Sequence, residues 1–183
     1  DLGLPLKKLK EELKKILTLN YRLEVTKKSV RGIRATRFRV ICGKGEPERS
    51  WKQIRSLIQQ SSLAADDKEK GLAVFSRLAG AEGRIHGVAT DKVHFHEVGA
   101  TDSIVDIMAA AIACRELDID SFHFSRIPLG RGLTRSRHGP LPLPGPATLE
   151  LLKGLPIQWT HLEGETVTPT GAAIVAALGT GFG

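Results

Sequence analysis

The sequence predicts a mixed α/β fold, a mixed sheet covered by helices. Apolar residues recur at helical spacing in several segments, such as Leu6, Leu9, Leu13, Ile16 and Leu17. Others alternate with a period of two, as in Tyr21 to Thr26 and Ile33 to Ile41. Strands and helices alternate through the second half but not the first, which favours a mixed sheet over a purely parallel one. At 183 residues, 41% hydrophobic and 26% charged, the chain is long enough for one substantial core. With nine aromatic residues, that core must be mostly aliphatic. A single domain over 1–183 is expected, with a hairpin-and-helix half (1–90) and a motif-bearing half (91–183).

In chain order, Pro5 is a favourable first-turn residue for the opening helix. The two alternating segments that follow join through Gly32 as a hairpin, and residues 43–48 form a loop. Ser50-Trp51-Lys52-Gln53 is a capping box that opens a helix with Ile54, Leu57 and Ile58 inward. Leu63 to Ile85 is helical, with Leu72, Phe75, Leu78 and Ala79 as its stripe, although Gly71, Gly80 and Gly83 weaken the pattern. Val93 and Phe95 alternate with His94 and His96, so a strand here points both imidazoles to one face. Gly99 ends it, and Thr101 or Asp102 caps a helix running to about Leu117, with Val105, Met108, Ala109 and Ile112 inward. Ser121 to Ile127 reads as a strand, and the Pro/Gly-rich 128–145 as a long irregular loop. Pro146 starts a short helix stopped by Gly154 and Pro156; a strand to His161 follows, and Pro169 starts a final Ala-rich helix.

The net charge of +7 is read in two places: Lys7, Lys8, Lys10, Lys14 and Lys15 on the first helix, where it suits a solvated face, and Arg126, Arg131, Arg135 and Arg137, where bound anions suit it better. Few aromatics accompany these arginines and no nucleic-acid motif is present, so no nucleic-acid partner is expected. Cys42 and Cys114 stand far apart, and neither a secretory segment nor a membrane-spanning apolar run is present. A cytoplasmic location without a membrane partner is expected. The opening Asp1-Leu2-Gly3 and closing Gly181-Phe182-Gly183 read as cuts within a longer protein.

The segment from Val93 to Asp106 concentrates chemistry. Imidazoles suit nickel, zinc, copper or iron, so His94, His96 and Glu97 form a candidate metal set that Asp102 can complete; two histidines on an exposed strand face are the plain alternative. Asp102 and Asp106 share a helix face at i, i+4. Capping accounts for Asp102, whereas Asp106 on an apolar helix needs a partner, either a cation or Arg115 or Arg126. Arg131, Arg135 and Arg137 match phosphate oxygens with two-point geometry. Glu163 and Glu165 precede a helix start where Thr168 or Thr170, with Gly171, presents N–H groups suited to an anion. No Cys-x-x-Cys, His-Glu-x-x-His or Gly-x-Ser-x-Gly pattern is present.

These residues resemble the LarC family, the nickel-insertion proteins of lactate racemase maturation. The likeness rests on His94-Phe95-His96-Glu97-Val98-Gly99-Ala100 with Asp102-Ser103-Ile104-Val105-Asp106, on Pro128-Leu129-Gly130, and on His138-Gly139 with Pro142, Pro144 and Pro146-Ala147-Thr148-Leu149. It ends on Glu163-Gly164-Glu165 with Thr168-Pro169-Thr170-Gly171-Ala172. The resemblance implies two further parts of the intact protein, an Asp-Cys-x-x-Gly-x-Ser-Gly-Asp-Met-like segment ahead of Asp1 and a C-terminal domain beyond this stretch.

The resemblance implies CTP-dependent insertion of nickel into a pyridinium-3,5-bisthiocarboxylic acid mononucleotide, forming the nickel-pincer cofactor of lactate racemase, a lyase-class chelatase activity of the intact protein. It implies Ni²⁺, and CTP with Mg²⁺ or Mn²⁺ held mostly by the C-terminal domain. The mononucleotide, CTP and the apo-racemase are the partners it implies, and self-association is expected of a piece with uncovered surface. On this reading His94, His96 and Glu97 hold metal, and Asp102, Asp106 and His138 serve the chemistry. Arg131, Arg135, Arg137, Glu163, Glu165, Thr168, Thr170 and Gly171 serve phosphate-bearing ligands. A divalent-metal nucleotide phosphohydrolase and a non-enzymatic nickel carrier are the rival readings.

Overall fold

The structure is a computed structural model that describes residues 2–16, 19–43, 45, 47–95 and 98–183. Helix α1 (Leu6–Leu13) leads to β1 (Tyr21–Val30) and β2 (Ile33–Cys42), an antiparallel hairpin pairing Tyr21 with Cys42 and Val30 with Ile33. Its two turn residues, Arg31 and Gly32, both take positive φ (50° and 84°), the backbone twist that a two-residue hairpin requires. Helix α2 (Trp51–Gln60) starts on the expected capping box: the Gln53 N–H donates to Ser50 Oγ at 3.3 Å, and the Ser50 N–H donates to Gln53 Oε1 at 2.8 Å.

Helix α3 (Ala65–His86) is the central element and packs against α2, α4 (Thr101–Glu116), α5 (Pro146–Leu151) and α6 (Pro169–Leu178). Asp66 and Asp67 in its first turn, and Arg84 and His86 in its last, complement the helix dipole. Val74, Phe75 and Leu78 of α3 are buried with Ile104, Ile107, Met108 and Ile112 of α4 and Ile54 and Ile58 of α2. Trp51, Phe75 and Phe95 form one aromatic row, with ring centroids 6.4 and 6.2 Å apart.

Among the described residues the strands fall into four two-stranded sheets, which realise the mixed α/β class without joining into one sheet. Strand β3 (His123–Phe124) pairs in parallel with β8 (Gly181–Phe182), and β4 (Ile127–Arg131) in parallel with β7 (Ile157–Glu163). The expected irregular loop over 128–145 is largely ordered: β4 extends to Arg131, and β5 (Leu133–Ser136) forms an antiparallel hairpin with β6 (Gly139–Pro142). Its prolines are tolerated because each strand of a two-stranded sheet is an edge strand, where a missing N–H need not break a ladder.

Where α1, α3 and α4 meet, Arg115 donates from Nε and Nη2 to the two carboxylate oxygens of the fully buried Asp67, at 2.9 and 3.0 Å. The same guanidinium reaches Glu12 at 3.1 Å and Glu116 at 2.7 Å. Lys15 donates to both oxygens of Glu12 at 2.7 and 2.8 Å. That hydrogen bond, with the charges of Lys15, Arg115 and Lys8, outweighs burial and holds the Glu12 carboxyl below the usual range.

Candidate functional site

At the opposite end of α3, a cavity of about 590 Å³ opens between four helices and the β5–β6 hairpin. The last turn of α3 contributes Glu82, Ile85 and His86; Val98 and Ser103 come from the turn before α4 and from its first turn. The hairpin contributes Thr134, Arg135, Ser136, His138 and Leu141, and residues 145–148 at the start of α5 form another wall. Glu165, Thr168 and Pro169 close the ring. A mixed apolar and polar cavity of this size suits a small organic molecule.

Local chemistry explains these placements. The hairpin turn is pinned by Ser136, whose Oγ accepts from the His138 N–H at 3.1 Å and donates to the Gly139 carbonyl at 3.0 Å. This presents His138 over the cavity, with its ring centroid 5.1 Å from that of His86. Glu82 stands one turn before His86, with Oε2 3.2 Å from Nε2. Glu165 is held through its neighbour: Thr166 Oγ1 donates to the Pro128 carbonyl at 2.7 Å and accepts from the Gly130 N–H at 2.8 Å. Gly130 permits this approach, because a Cβ there would lie 2.2 Å from the Gly164 carbonyl oxygen. Arg49 ties down the turn before α4, donating to the Gly99 carbonyl at 3.5 Å and to Thr101 Oγ1 at 3.2 Å.

Thr148 lines the cavity, is fully buried, and its Oγ1 has no hydrogen-bond partner among the described residues. A buried unsatisfied hydroxyl costs about 1–3 kcal/mol, so the fold bears that cost at this wall.

The sequence candidates divide. Arg135, His138, Glu165 and Thr168 line the cavity together. Asp102 and Asp106 lie on the exposed face of α4; Asp102 Oδ1 accepts the Ser103 N–H at 2.8 Å, while the helix is entered through Ala100, which supplies no side-chain cap. Desolvation first, and then the Asp102 charge, push the Asp106 carboxyl above its ordinary range. Of the partners considered for Asp106, a cation, Arg115 or Arg126, the Arg115 guanidinium is committed to Asp67, Glu12 and Glu116. His94 is exposed, stands outside the cavity and bridges to Ser50, while Val93 and Phe95 are buried as the alternation predicted. His96 and Glu97 lie outside the described residues.

Arg131 and Glu163 are exposed strand-end residues opposite one another in the β4–β7 register, away from the cavity, and Arg137 pairs with Glu48. Thr168 caps α6 by accepting from the Gly171 N–H at 3.1 Å. With Pro169 lacking an N–H and Gly171 committed, Thr170 has the remaining first-turn donor. Among the described residues, no group of three or more His, Cys, Asp or Glu side chains is placed to hold a metal. Glu82, His86 and Thr148 received no role in the sequence reading. The i, i+4 spacing of Glu82 and His86 was visible there, whereas the orphaned state of Thr148 exists only in three dimensions.

Fold and site thus define an α/β protein with a cavity bordered by imidazole, carboxylate and guanidinium groups. Comparison with known sequences places it further: the nickel insertion protein family matches residues 1–183, and the chain belongs to that family. Similar proteins, each provisionally named a nickel insertion protein, come from Geobacter metallireducens (49% identical over 185 residues), Geotalea uraniireducens (50% over 185) and Syntrophobacter fumaroxidans (50% over 183). Each alignment covers 100% of this chain and 47% of the relative, so the chain spans about half the length of the curated relatives it matches. No solved structure matches it. Among the described residues, no helix is long and apolar enough to cross a membrane.

Proposed function

We propose that the whole protein inserts nickel into a pyridinium bisthiocarboxylate mononucleotide in a CTP-dependent reaction, forming the cofactor of lactate racemase, and that this chain supplies the cavity holding the mononucleotide. What carries the reading is the meeting of Ser103, from the His-rich segment and α4, with Arg135, His138 and Glu165 around one space of about 590 Å³ in a chain of the nickel insertion family. Arg135 pairs with the single phosphate, and the Thr170 N–H at the start of α6 adds a donor. The soft sulfur donors of the thiocarboxylates take Ni²⁺ from nitrogen and oxygen ligands of the protein, His94, His96 and Glu97 being the first candidates. Metal binding displaces protons from such ligands; His86, backed by Glu82, and His138 accept them at the cavity wall. Asp102 and Asp106 on α4 assist as oxygen ligands or orienting groups.

CTP fits this half of the protein poorly. Of the three loop arginines only Arg135 faces the cavity, Arg137 is paired with Glu48, and α6 keeps one free first-turn donor. One guanidinium and one N–H suit a monophosphate and do not build a triphosphate cradle, so CTP and its Mg²⁺ or Mn²⁺ are assigned to the remainder of the protein.

The test is nickel insertion by the full-length protein, followed by absorbance of the product. Arg135→Ala is expected to raise KM for the mononucleotide by about tenfold or more with kcat for CTP turnover little changed. Unchanged KM removes the cavity assignment. Phosphate release from CTP that ignores nickel and the thiocarboxylate makes the protein a phosphohydrolase, and nickel transfer without CTP makes it a carrier.

A further inference from the structure

The β1–β2 ribbon is the most unevenly charged part of the molecule. Residues 21–42 hold seven basic side chains against the single acid Glu24, and so carry six of the seven net positive charges of the chain. The side chains of Arg22, Lys28, Arg31, Arg34, Arg37 and Arg39 have no ion-pair or hydrogen-bond partner among the described residues. The register puts Arg22, Lys28, Arg37 and Arg39 on one face of the ribbon. At its far end Val30 and Ile33 are 60% and 74% exposed. Only the base is anchored, through buried Leu23 and through Tyr21 and Val40 packed on the core.

A lone two-stranded ribbon is marginally stable in water, and both strands of this one are edges with unpaired backbone groups. Like charges repel a second ribbon of the same sequence, whereas an acidic strand gains both ladder hydrogen bonds and cross-strand ion pairs. Duplex nucleic acid satisfies the guanidinium groups but leaves the β-edge and the apolar tip without partners.

We propose that the ribbon is a docking arm for an extended acidic segment of a partner protein, which adds as a third strand along β2 with carboxylates paired to Arg37 and Arg39 and apolar contact at Ile33. This rests on charge and edge geometry and is independent of the nickel reading.

The test titrates the full chain with a labelled peptide about ten residues long to match one strand, with Glu opposite Arg37 and Arg39 and Val opposite Ile33 on one face and Thr on the other, alongside its Lys-for-Glu counterpart and a short duplex DNA. Expected are binding of the acidic peptide only, slowed amide exchange along β2, and affinity lowered about tenfold or more by the double variant Arg37→Glu, Arg39→Glu. Ile33→Ser, which leaves the charges intact, is expected to weaken binding severalfold. Absence of peptide binding, equal binding of the Lys peptide, or tighter binding of DNA with the same arginine dependence overturns the proposal. So does a concentration-dependent dimer abolished by the double variant, which assigns the arm to a second copy.

Discussion

At the junction of α1, α3 and α4, Arg115 has a carboxylate for each of its donor nitrogens, and buried Asp67 has both oxygens filled. At the other end of α3, the cavity leaves Thr148 Oγ1 without a partner and sets His86 and His138 at a solvent-accessible wall; on the neighbouring face of α4, Asp106 is given a like charge for a neighbour. The same helices thus end in a region where polar groups complete one another and a region where they are left incomplete. Completed groups lock elements together; incomplete ones are what a ligand can satisfy.

The largest effect is expected from breaking the completed end. Arg115→Ala leaves Asp67 buried without its counter-charge and is expected to cost about 3 kcal/mol or more in urea unfolding. Because the Glu12 carboxyl is held low, its contribution is full above the ordinary glutamate value of about 4.3 and is lost as pH falls through the lowered folded value. The same variant is therefore expected to flatten the acid limb of the stability profile. Next is Gly130→Ala, whose Cβ must push on the Gly164 carbonyl. A loss of about 1–3 kcal/mol is expected, together with a rise in mononucleotide KM as Glu165 shifts; a fall in stability alone separates the loop from the site.

Thr148→Val sharpens the contrast. Removing an unsatisfied hydroxyl at nearly constant shape is expected to raise stability by about 1 kcal/mol and to weaken mononucleotide binding, read by calorimetry on full-length protein. A loss of stability means that the hydroxyl is satisfied in solution. The smallest effect is that of Asp102→Asn, which removes one of the two causes raising Asp106: the Asp106 carboxyl is expected to titrate lower by NMR yet stay above its ordinary value, because desolvation remains.

Local chemistry was legible in the sequence where it acts over a few residues. The Ser50–Gln53 capping box, the hairpin through Gly32, the α4 helix and the Thr168 cap all follow from propensity and spacing. What required long-range pairing was less legible: the Pro-rich 128–145 conceals the β5–β6 hairpin because prolines mask strand character at edges. The charge excess is conspicuous on the first helix and the Arg126–Arg137 segment, although β1–β2 carries most of it. The lining of the cavity was half visible. Arg135, His138, Glu165 and Thr168 do meet, but Glu82, His86 and Thr148 join them only because α3 ends where α5 begins.

The most direct test of the cavity as the place of nickel chemistry is anomalous diffraction at the nickel edge from crystals of the full-length protein grown with Ni²⁺ and the mononucleotide. The account predicts a peak inside the space bounded by His86, His138, Ser103 and Glu165, with the phosphate toward Arg135. A fully occupied nickel with its mononucleotide elsewhere on the molecule, and this cavity filled by solvent alone, contradicts it.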